Sequence, residues 1–292
     1  GVFFTIRLRG VQLRRFGEGF HRVFGNFTLR GKKADDQGMS SFQALATAIA
    51  AQVGTGNIAG CATALVSGGP GAIFWMWLAA LLGTATKYSE CLLSIKYRVV
   101  AEDGHIIGGP FYYIEKGMGK NWKWLAKIFA FFGVGVGLFG IGTFTQVNGI
   151  TSAVKNFFDP DSQNTVHLFG TDYSIAVVIA GLIITVCVAL VIIGGLKRIS
   201  RVAEVIVPFM AVLYVAVALI ILICNITRIP GAIVEIVQGA FGVRAAAGGA
   251  LGTMMIAMQK GIARGIFSNE AGLGSAPIAA AGFFTYDCLT FE

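Results

Sequence analysis

The sequence predicts an all-α polytopic membrane protein, and three observations lead to this class. Of the 292 residues, 55% are hydrophobic and 13% are charged, whereas charged residues make up about a quarter of a soluble domain. Several apolar runs reach the ~20 residues that a helical span requires. The net charge is +8, and the basic residues lie mostly between these runs, where they set membrane topology. This placement argues against a nucleic-acid-binding protein.

Residues 1–39 comprise the end of a preceding span and a basic cytoplasmic segment. Residues 1–6 are apolar but too short for a secretory signal, and no small-residue cleavage site follows them. Residues 7–39 contain eight arginines and lysines but only three acidic residues. Such an excess of positive charge is typical of the cytoplasmic side. We therefore expect the chain to enter its first complete span from the cytoplasm.

Apolar runs separated by loops predict six spans over residues 40–281. Residues 40–224 hold the first five, at about 41–66, 71–95, 125–154, 174–194 and 206–224. Residues 225–249 form an external loop with a short surface helix, and residues 250–281 form the sixth span. Basic residues follow the second and fourth spans, so inside and outside segments alternate. The tail, residues 282–292, lacks a basic anchor and is atypical, and we expect the chain to be an incomplete fragment.

Two predicted spans contain a polar, glycine-rich stretch, at residues 52–60 and 267–275. Charged groups at membrane depth are costly and usually functional, and glycine lets backbone amides and carbonyls leave the helix to face a ligand. We predict that both stretches break their helices and that the two breaks form one binding site. Two simpler alternatives stay open: small-residue helix packing through Gly56 and Gly60, and a surface loop at residues 267–275.

Other classes of protein fit the residues less well. Gly135–Gly140 matches the GxGxxG fingerprint, but it lies in a span with no strand before it, so we reject a dinucleotide site. The three histidines fall in predicted loops, which argues against an intramembrane enzyme. The five cysteines show no CxxC spacing, which argues against a zinc site. A channel stays open as an alternative, because broken helices also line pores.

Four motifs carry a resemblance to a known family. They are QVGTGNIAG at 52–60, GAIFWMW at 71–77 with TATKYSE at 84–90, GGPFYYIE at 108–115, and RGIFSNEAGLGSAP at 264–277. From Gly1 to about Ala281 the chain resembles the sodium:alanine symporters, the alanine or glycine:cation symporters of bacteria and archaea. One position departs from the family: Thr143 stands where members usually carry asparagine, three residues before the matching Gln146.

The resemblance implies the leucine-transporter-like inverted-repeat fold of the amino acid–polyamine–organocation superfamily. Such a fold has two inverted repeats of five spans, the first span of each being broken at mid-membrane. The chain would hold the first repeat, residues 40–224, and the start of the second. The fold is therefore expected to be truncated here, and we expect no transport by this chain alone.

The same resemblance implies a function. It is sodium-coupled symport of a small neutral amino acid, alanine or glycine, across the cell inner (plasma) membrane by alternating access. The protein would be a multi-pass carrier with no enzymatic activity, with Na⁺ as the co-transported ion and no cofactor. The alternative is a channel or a non-transporting membrane protein built on the same fold.

A small zwitterionic substrate requires separate partners for its carboxylate and its ammonium group. The amides of a half-helix that begins near Ile58 favour a carboxylate, and the residues expected to bind it are Thr55, Gly56 and Asn57. The ammonium group is expected to meet oxygen atoms near the second break and on the third span, at Ser268, Asn269 and Gln146. Phe267 is expected to close the pocket and limit the size of the substrate side chain.

Sodium requires several oxygen ligands, which broken-helix transporters take from unwound backbone and nearby side chains. We expect them at Gly54, Thr55, Asn57 and Asn269. Arg264 and Glu270 are expected to be gating or structural groups, with Glu270 either a ligand or the partner of Arg264 or Lys260. Interhelical hydrogen bonding is an alternative role for Gln146 and Thr143. Lys87 and Glu90 are spaced i, i+3 and are expected to pair.

Overall fold

The computed structural model describes residues 1–21, 46–47, 49–50, 53–102, 106–139, 143–168, 170–242 and 249–281. These residues are mostly helical and include several apolar helices, in agreement with the predicted class. Gln52, other parts of the first predicted span and the tail at 282–292 lie outside the described residues. The predictions for them stay predictions.

Helices and two short hairpins follow one another along the described chain. The helices are α1 (Val2–Arg7), α2 (Val11–Arg14), α3 (Phe16–Phe20), α4 (Thr55–Gly68), α5 (Gly71–Lys96), α6 (Pro110–Met118), α7 (Lys123–Leu138), α8 (Thr143–Phe158), α9 (Ile175–Ile192), α10 (Gly195–Cys224), α11 (Ile229–Ala240), α12 (Ala250–Asn269) and α13 (Ser275–Ala281). The strands are β1 (Val99–Val100), β2 (Ile106–Ile107), β3 (Thr165–Leu168) and β4 (Thr171–Ser174). β1 pairs with β2 and β3 with β4, both antiparallel.

A tight turn joins α4 to α5. Gly69 follows the end of α4 with a φ of 69°, in the left-handed region that glycine adopts without steric cost. Pro70 then precedes α5, where its missing amide costs no hydrogen bond because the first amides of a helix lack intrahelical partners. The turn brings α4 back against α5, and the two helices are in contact.

α12 packs most extensively against α5, and small residues make this possible. A Cβ atom at Gly261 would strike the backbone of α5, and one at Gly265 would lie 2.9 Å from the Cβ atom of Ala79. On α5, Gly83 leaves space for a side chain of α12, since a Cβ atom at Gly83 would lie 2.5 Å from Nδ2 of Asn269. Small residues at helix interfaces let backbones approach closely in membranes. The α5–α12 pair therefore supports the end of α12.

Both glycine-rich stretches interrupt their helices. Residues 46–47 and 49–50 are helical, Val53 and Gly54 form a bend, and α4 starts at Thr55. We call Val53–Gly54 the first break. α12 ends at Asn269 and α13 starts at Ser275, so the second break consists of residues 270–274, which is narrower than the predicted stretch 267–275. The last helical turn of α12 takes in residues 267–269 because nothing before Glu270 leaves right-handed helical geometry.

The two parts of the first broken helix have different packing partners. Ala46 is buried with Ala203 and Val207 of α10, and Ile49 and Ala50 pack beside this cluster. α4, by contrast, contacts α5, α8 and α12. The first break therefore lies between two groups of packed helices.

Three helical stretches of the described chain combine the length and apolar character of a membrane span, namely Lys120–Phe158, Ile175–Ile192 and Arg198–Cys224. α9 and α10 keep most large apolar side chains on the surface, including Leu182 and Phe209, as expected for helices that face lipid. Within the first stretch, α7 ends at Leu138 and α8 begins at Thr143. Residues 140–142 between them lie outside the described residues, so the span predicted at about 125–154 stays a prediction.

The acidic loop after α8 contains the β3–β4 hairpin, which the sequence does not predict. Its base is fixed by Asp159, which accepts hydrogen bonds from the Ser174 hydroxyl at 2.6 Å and the Gln163 amide at 2.8 Å. The bond from Ser174 lowers the pKa of the Asp159 carboxyl below its ordinary value, because it stabilises the charged form. The strands are four residues long and most of their side chains are exposed, so no buried apolar face marks them in the sequence.

Candidate functional site

The first break leads directly into the N-terminal turn of α4. Gly54 is extended, with φ −144° and ψ 172°, and its carbonyl oxygen accepts from the amides of Asn57 and Ile58 at 3.0 and 3.3 Å. These bonds close the first turn at Thr55, so the prediction that the half-helix begins near Ile58 was wrong by three residues. Thr55 and Asn57 therefore offer a ligand their side chains, and the turn offers the positive end of the helix dipole rather than unwound carbonyls.

Gln146 of α8 lies against the first break. Oγ1 of Thr55 donates to the carbonyl oxygen of Gln146 at 3.3 Å. A Cβ atom at Gly54 would lie 3.0 Å from the carboxamide of Gln146, so glycine is what permits this approach. Gly149, close to one turn further along α8, makes room for Thr55 in the same way, at 3.2 Å from Oγ1. The structure thus brings the predicted residues of the first and third spans together.

Arg264 ties α12 to the first turn of α4. Its Nη2 atom donates to the carbonyl oxygen of Gly56 and to Oδ1 of Asn57, the second bond at 3.2 Å. Gly60, one turn further along α4, provides the space, because a Cβ atom there would overlap the guanidinium group. Gly56 and Gly60 therefore serve close packing, as the simpler alternative held, but a charged side chain packs on them.

Phe267 lies beside Arg264 on the same face of α12. The centroid of its ring is 5.0 Å from Cζ of Arg264, within the range of a cation–π contact. The residue is 38% exposed, so its side chain is only partly covered. Ser268, the next residue, is half-buried. Nε of Arg264 is buried and has no hydrogen-bond partner among the described residues.

The second break is held by side chains of its own segment. Glu270 has a φ of 53°, a left-handed conformation that costs a residue with a side chain about 1–2 kcal/mol. Oε2 of Glu270 accepts from Oγ of Ser275 at 2.6 Å, and Oδ1 of Asn269 accepts from the amide of Ala271 at 3.0 Å. These two bonds fix the turn. Glu270 therefore bonds to Ser275, where the sequence left Arg264 and Lys260 open as partners.

Two charged residues of α5 reach the second break. Nζ of Lys87 donates to the carbonyl oxygen of Asn269 at 3.2 Å, and Oε1 of Glu90 lies 3.9 Å from where a Cβ atom of Gly272 would be. Oε2 of Glu90 is buried without a hydrogen-bond partner among the described residues. Lys87 and Glu90, whose spacing would also allow them to pair, thus both face the second break. In the sequence, Lys87 and Glu90 stand out as two charged residues inside the apolar run 71–95. The sequence does not show that Lys87 bonds to a residue 182 positions further along the chain.

Arg264 and Asn269 lie on different sides of α12. Five residues at 3.6 per turn separate them by about 140° around the helix. Accordingly, Arg264 contacts α4, whereas the side chain of Asn269 packs on Gly83 of α5.

The predicted site residues thus form two clusters. We call them the α4 cluster, with Gly54, Thr55, Gly56, Asn57, Gln146, Arg264 and Phe267, and the α5 cluster, with Asn269, Glu270, Lys87 and Glu90. Both oxygens of Asn269 are occupied, Oδ1 by the Ala271 amide and the carbonyl by Lys87. Its Nδ2 atom is buried without a partner among the described residues, so Asn269 has an unpaired donor, while each of its oxygens accepts one hydrogen bond.

Known proteins resemble this chain along nearly all its length. The model of the sodium:alanine symporter family matches residues 1–288. The chain is 53% identical over 282 residues to an uncharacterized transporter of Haemophilus influenzae and 44% identical over 283 residues to the sodium/alanine symporter AgcS of Methanococcus maripaludis. It is 42% identical over 286 residues to the probable sodium/glutamine symporter GlnT of Bacillus subtilis.

These matches cover 96% of the chain but 57%, 58% and 53% of the three relatives, in that order. The chain thus spans a little over half the length of the curated relatives it matches. The members of this family are symporters rather than enzymes, and Na⁺ is their co-transported ion rather than a bound cofactor. The chain belongs to the sodium:alanine symporter family.

Proposed function

We propose that the protein carries a small neutral amino acid, alanine or glycine, across the plasma membrane together with Na⁺, by alternating access. One observation supports this more than any other: the two broken helices are in contact near the first break, where Arg264 of α12 bonds to Gly56 and Asn57 of α4. Broken helices that meet in this way present helix termini and unpaired polar groups to a substrate at membrane depth. The family to which the chain belongs favours the same function.

The substrate carboxylate is proposed to bind at the first turn of α4. The positive end of the helix dipole and the hydroxyl of Thr55 favour a negative group there. The amide Nδ2 of Asn269, which is buried and lacks a partner among the described residues, is proposed to donate to a substrate oxygen. Ser268 and Gln146 are proposed to meet the ammonium group. Phe267, whose side chain is only partly covered, is proposed to border the substrate side chain.

Sodium is proposed to bind beside the carboxylate, with oxygen ligands from the residues around the first break, Gly54, Thr55 and Asn57. Oδ1 of Asn57 accepts from Arg264 in the present arrangement. An oxygen that coordinates Na⁺ cannot at the same time serve a guanidinium group, because the two cations repel each other at that distance. Arg264 is therefore proposed to act as a gate: it holds α4 and α12 together when Na⁺ is absent and releases Asn57 when Na⁺ binds. Glu270, bonded to Ser275, is proposed to be structural.

The coupling of the two solutes follows from their adjacency. If Na⁺ lies next to the substrate carboxylate, each strengthens the binding of the other, and this coupling free energy drives uphill uptake. The relatives named above differ in the amino acid that their names give: one is an alanine symporter and another a probable glutamine symporter. Alanine or glycine is proposed because the family to which the chain belongs favours a small neutral substrate.

Uptake of labelled alanine into proteoliposomes tests the proposal. The full-length gene product is reconstituted and assayed with and without an inward Na⁺ gradient, in wild-type and Asn57→Ala forms. We expect saturable uptake that the gradient stimulates and that Asn57→Ala abolishes. Exposed Thr63 of α4 bonds to its own helix, so Thr63→Ala serves as the matched control. Uptake that is indifferent to Na⁺ would contradict symport, and flux that does not saturate would indicate a channel instead.

A further inference from the structure

The second break is held from outside its own segment by two charged side chains of α5. Lys87 and Glu90 lie three residues apart, so they occupy the same face of that helix. Nζ of Lys87 donates to the carbonyl oxygen of Asn269, the last residue of α12, at 3.2 Å. Oε1 of Glu90 faces Gly272, in the middle of the break. One positive and one negative group thus meet the start and the middle of a short non-helical segment.

Each charge has the sign that its partner requires. The last carbonyls of a helix carry partial negative charge and lack intrahelical donors, so a lysine is favoured at the C-terminus of α12. An amide released from the helix needs an acceptor, which the carboxyl group of Glu90 supplies. In a membrane, unpaired backbone groups are costly, so a partner for each of these groups stabilises the break.

These contacts bear on the side chain of Asn269. Its Oδ1 atom is held by the amide of Ala271, and its carbonyl oxygen is held by Lys87. With both oxygens fixed, the direction of Nδ2 is fixed as well, towards the space that Gly83 leaves open. The carbonyl of Asn269 is thus the link between a charge on α5 and the orientation of the neighbouring carboxamide.

We propose that Lys87 and Glu90 are positioning residues, which hold the end of α12 and the middle of the second break and so fix the carboxamide of Asn269, which the proposed function assigns to the substrate. The proposal rests on the proposed function, since the substrate is the amino acid assigned above. Lys87 and Glu90 do not themselves touch the substrate in this scheme. They act through the backbone of the break.

Transport kinetics of the full-length gene product in proteoliposomes test the proposal. We expect Lys87→Met to raise the apparent KM for alanine about tenfold, the effect of one lost charge-assisted hydrogen bond, with a smaller change in kcat. Lys87→Arg, which keeps the charge and the donors, should restore KM to within about threefold of wild type. Lys96→Met removes an exposed lysine from the end of the same helix and should leave KM unchanged.

A double variant separates positioning from a general structural role. If Lys87 acts through Asn269, the Lys87→Met substitution should cause no further rise in KM once Asn269→Ala has removed the carboxamide, since coupled residues give non-additive effects. Independent rises that multiply in the double variant would overturn the proposal. So would a wild-type KM in Lys87→Met.

Hydrogen exchange in nanodiscs gives a readout that does not depend on transport. Lys87→Met and Glu90→Leu should each speed amide exchange at residues 270–275 about tenfold, because the local opening free energy falls, and should leave exchange near residues 253–260 unchanged. Exchange at the break that is the same as in wild type would overturn the proposal. Absence of Na⁺-dependent alanine uptake by the wild type would contradict the proposed function. The exchange measurement would still decide whether α5 holds the second break.

Discussion

The guanidinium group of Arg264 in α12 packs directly on Gly60 of α4 and lies where a Cβ atom at position 60 would be. This relationship explains why a charged residue can lie between two helices that carry the candidate site. It also makes the cross-tie between the two broken helices sensitive to a single methyl group.

The first prediction concerns Gly60. Gly60→Ala should displace Arg264 from Gly56 and Asn57 and lower the initial rate of Na⁺-driven alanine uptake by at least about tenfold, because small misplacements at a site are costly. Uptake into proteoliposomes is the measurement. Cys61→Ala, at the exposed neighbouring position, is the matched control and should behave as wild type. A Gly60→Ala protein with normal uptake would show that the cross-tie has no role in transport.

The second prediction concerns the competition between Arg264 and Na⁺ for Asn57. Arg264→Gln removes the competing cation, so the Na⁺ concentration for half-maximal alanine binding should fall by about fivefold, within the usual range of coupling free energies. Calorimetry or scintillation proximity at varied Na⁺ provides the measurement. Lys260→Gln, four residues earlier on the same helix, removes an exposed charge and should change nothing. A weaker response to Na⁺ in Arg264→Gln would refute the gate.

The third prediction concerns the α5–α12 interface. Gly265→Leu should lower the free energy of unfolding by about 1–3 kcal/mol, because a Cβ atom already lies 2.9 Å from Ala79 and further atoms overpack the contact. The apparent Tm in detergent measures the effect. Gly252 of α12 has no atom within 4 Å of its Cβ position, so Gly252→Ala should be neutral or stabilising. Equal effects at the two glycines would argue against this helix contact.

The fourth prediction concerns the pH dependence at the β3–β4 hairpin. The pKa of Asp159 is lowered in the folded protein, so its carboxylate stabilises the fold at pH values above the ordinary pKa of about 3.9. This stabilisation is lost as the pH falls through the lowered pKa of the folded state. The difference in stability between wild type and Asp159→Asn should therefore be constant above about pH 5 and shrink below about pH 4.

Thermal unfolding from pH 7 to pH 3 measures this difference. Asp161→Asn, at an exposed position of the same loop, should show no such pH dependence and serves as the control. A difference between wild type and Asp159→Asn that grows towards low pH would mean that the sign of the effect is wrong.

The sequence predicts the helical membrane class, the family and the place of both breaks, because these depend on composition and on short motifs. Glycine beside polar residues in an apolar run is a local signal, and the breaks at Gly54 and Glu270 lie within such stretches. The start of α4 depends on which amides reach the carbonyl of Gly54, and the stretch 52–60 contains several glycines that would serve equally well.

The sequence does not show which residues far apart along the chain are in contact. Lys87 has a nearby carboxylate in Glu90, which makes local pairing the natural expectation, but the carbonyl that ends α12 is the better partner once α5 and α12 are packed. Likewise, helical periodicity gives the angle between Arg264 and Asn269, yet it does not say which helix each one faces. The division into an α4 cluster and an α5 cluster follows from packing alone.

The first break also determines where the molecule bends. The helical residues 46–47 and 49–50 are anchored on α10, and α4 is anchored on α5, α8 and α12. A rotation of one anchored group against the other is therefore concentrated in the backbone torsions of Val53 and Gly54, which already lie outside helical geometry. Turning about these bonds breaks no helical hydrogen bond, whereas the same rotation inside an intact helix would break several at about 1 kcal/mol each. The interruption that exposes polar groups to a solute thus also acts as a pivot.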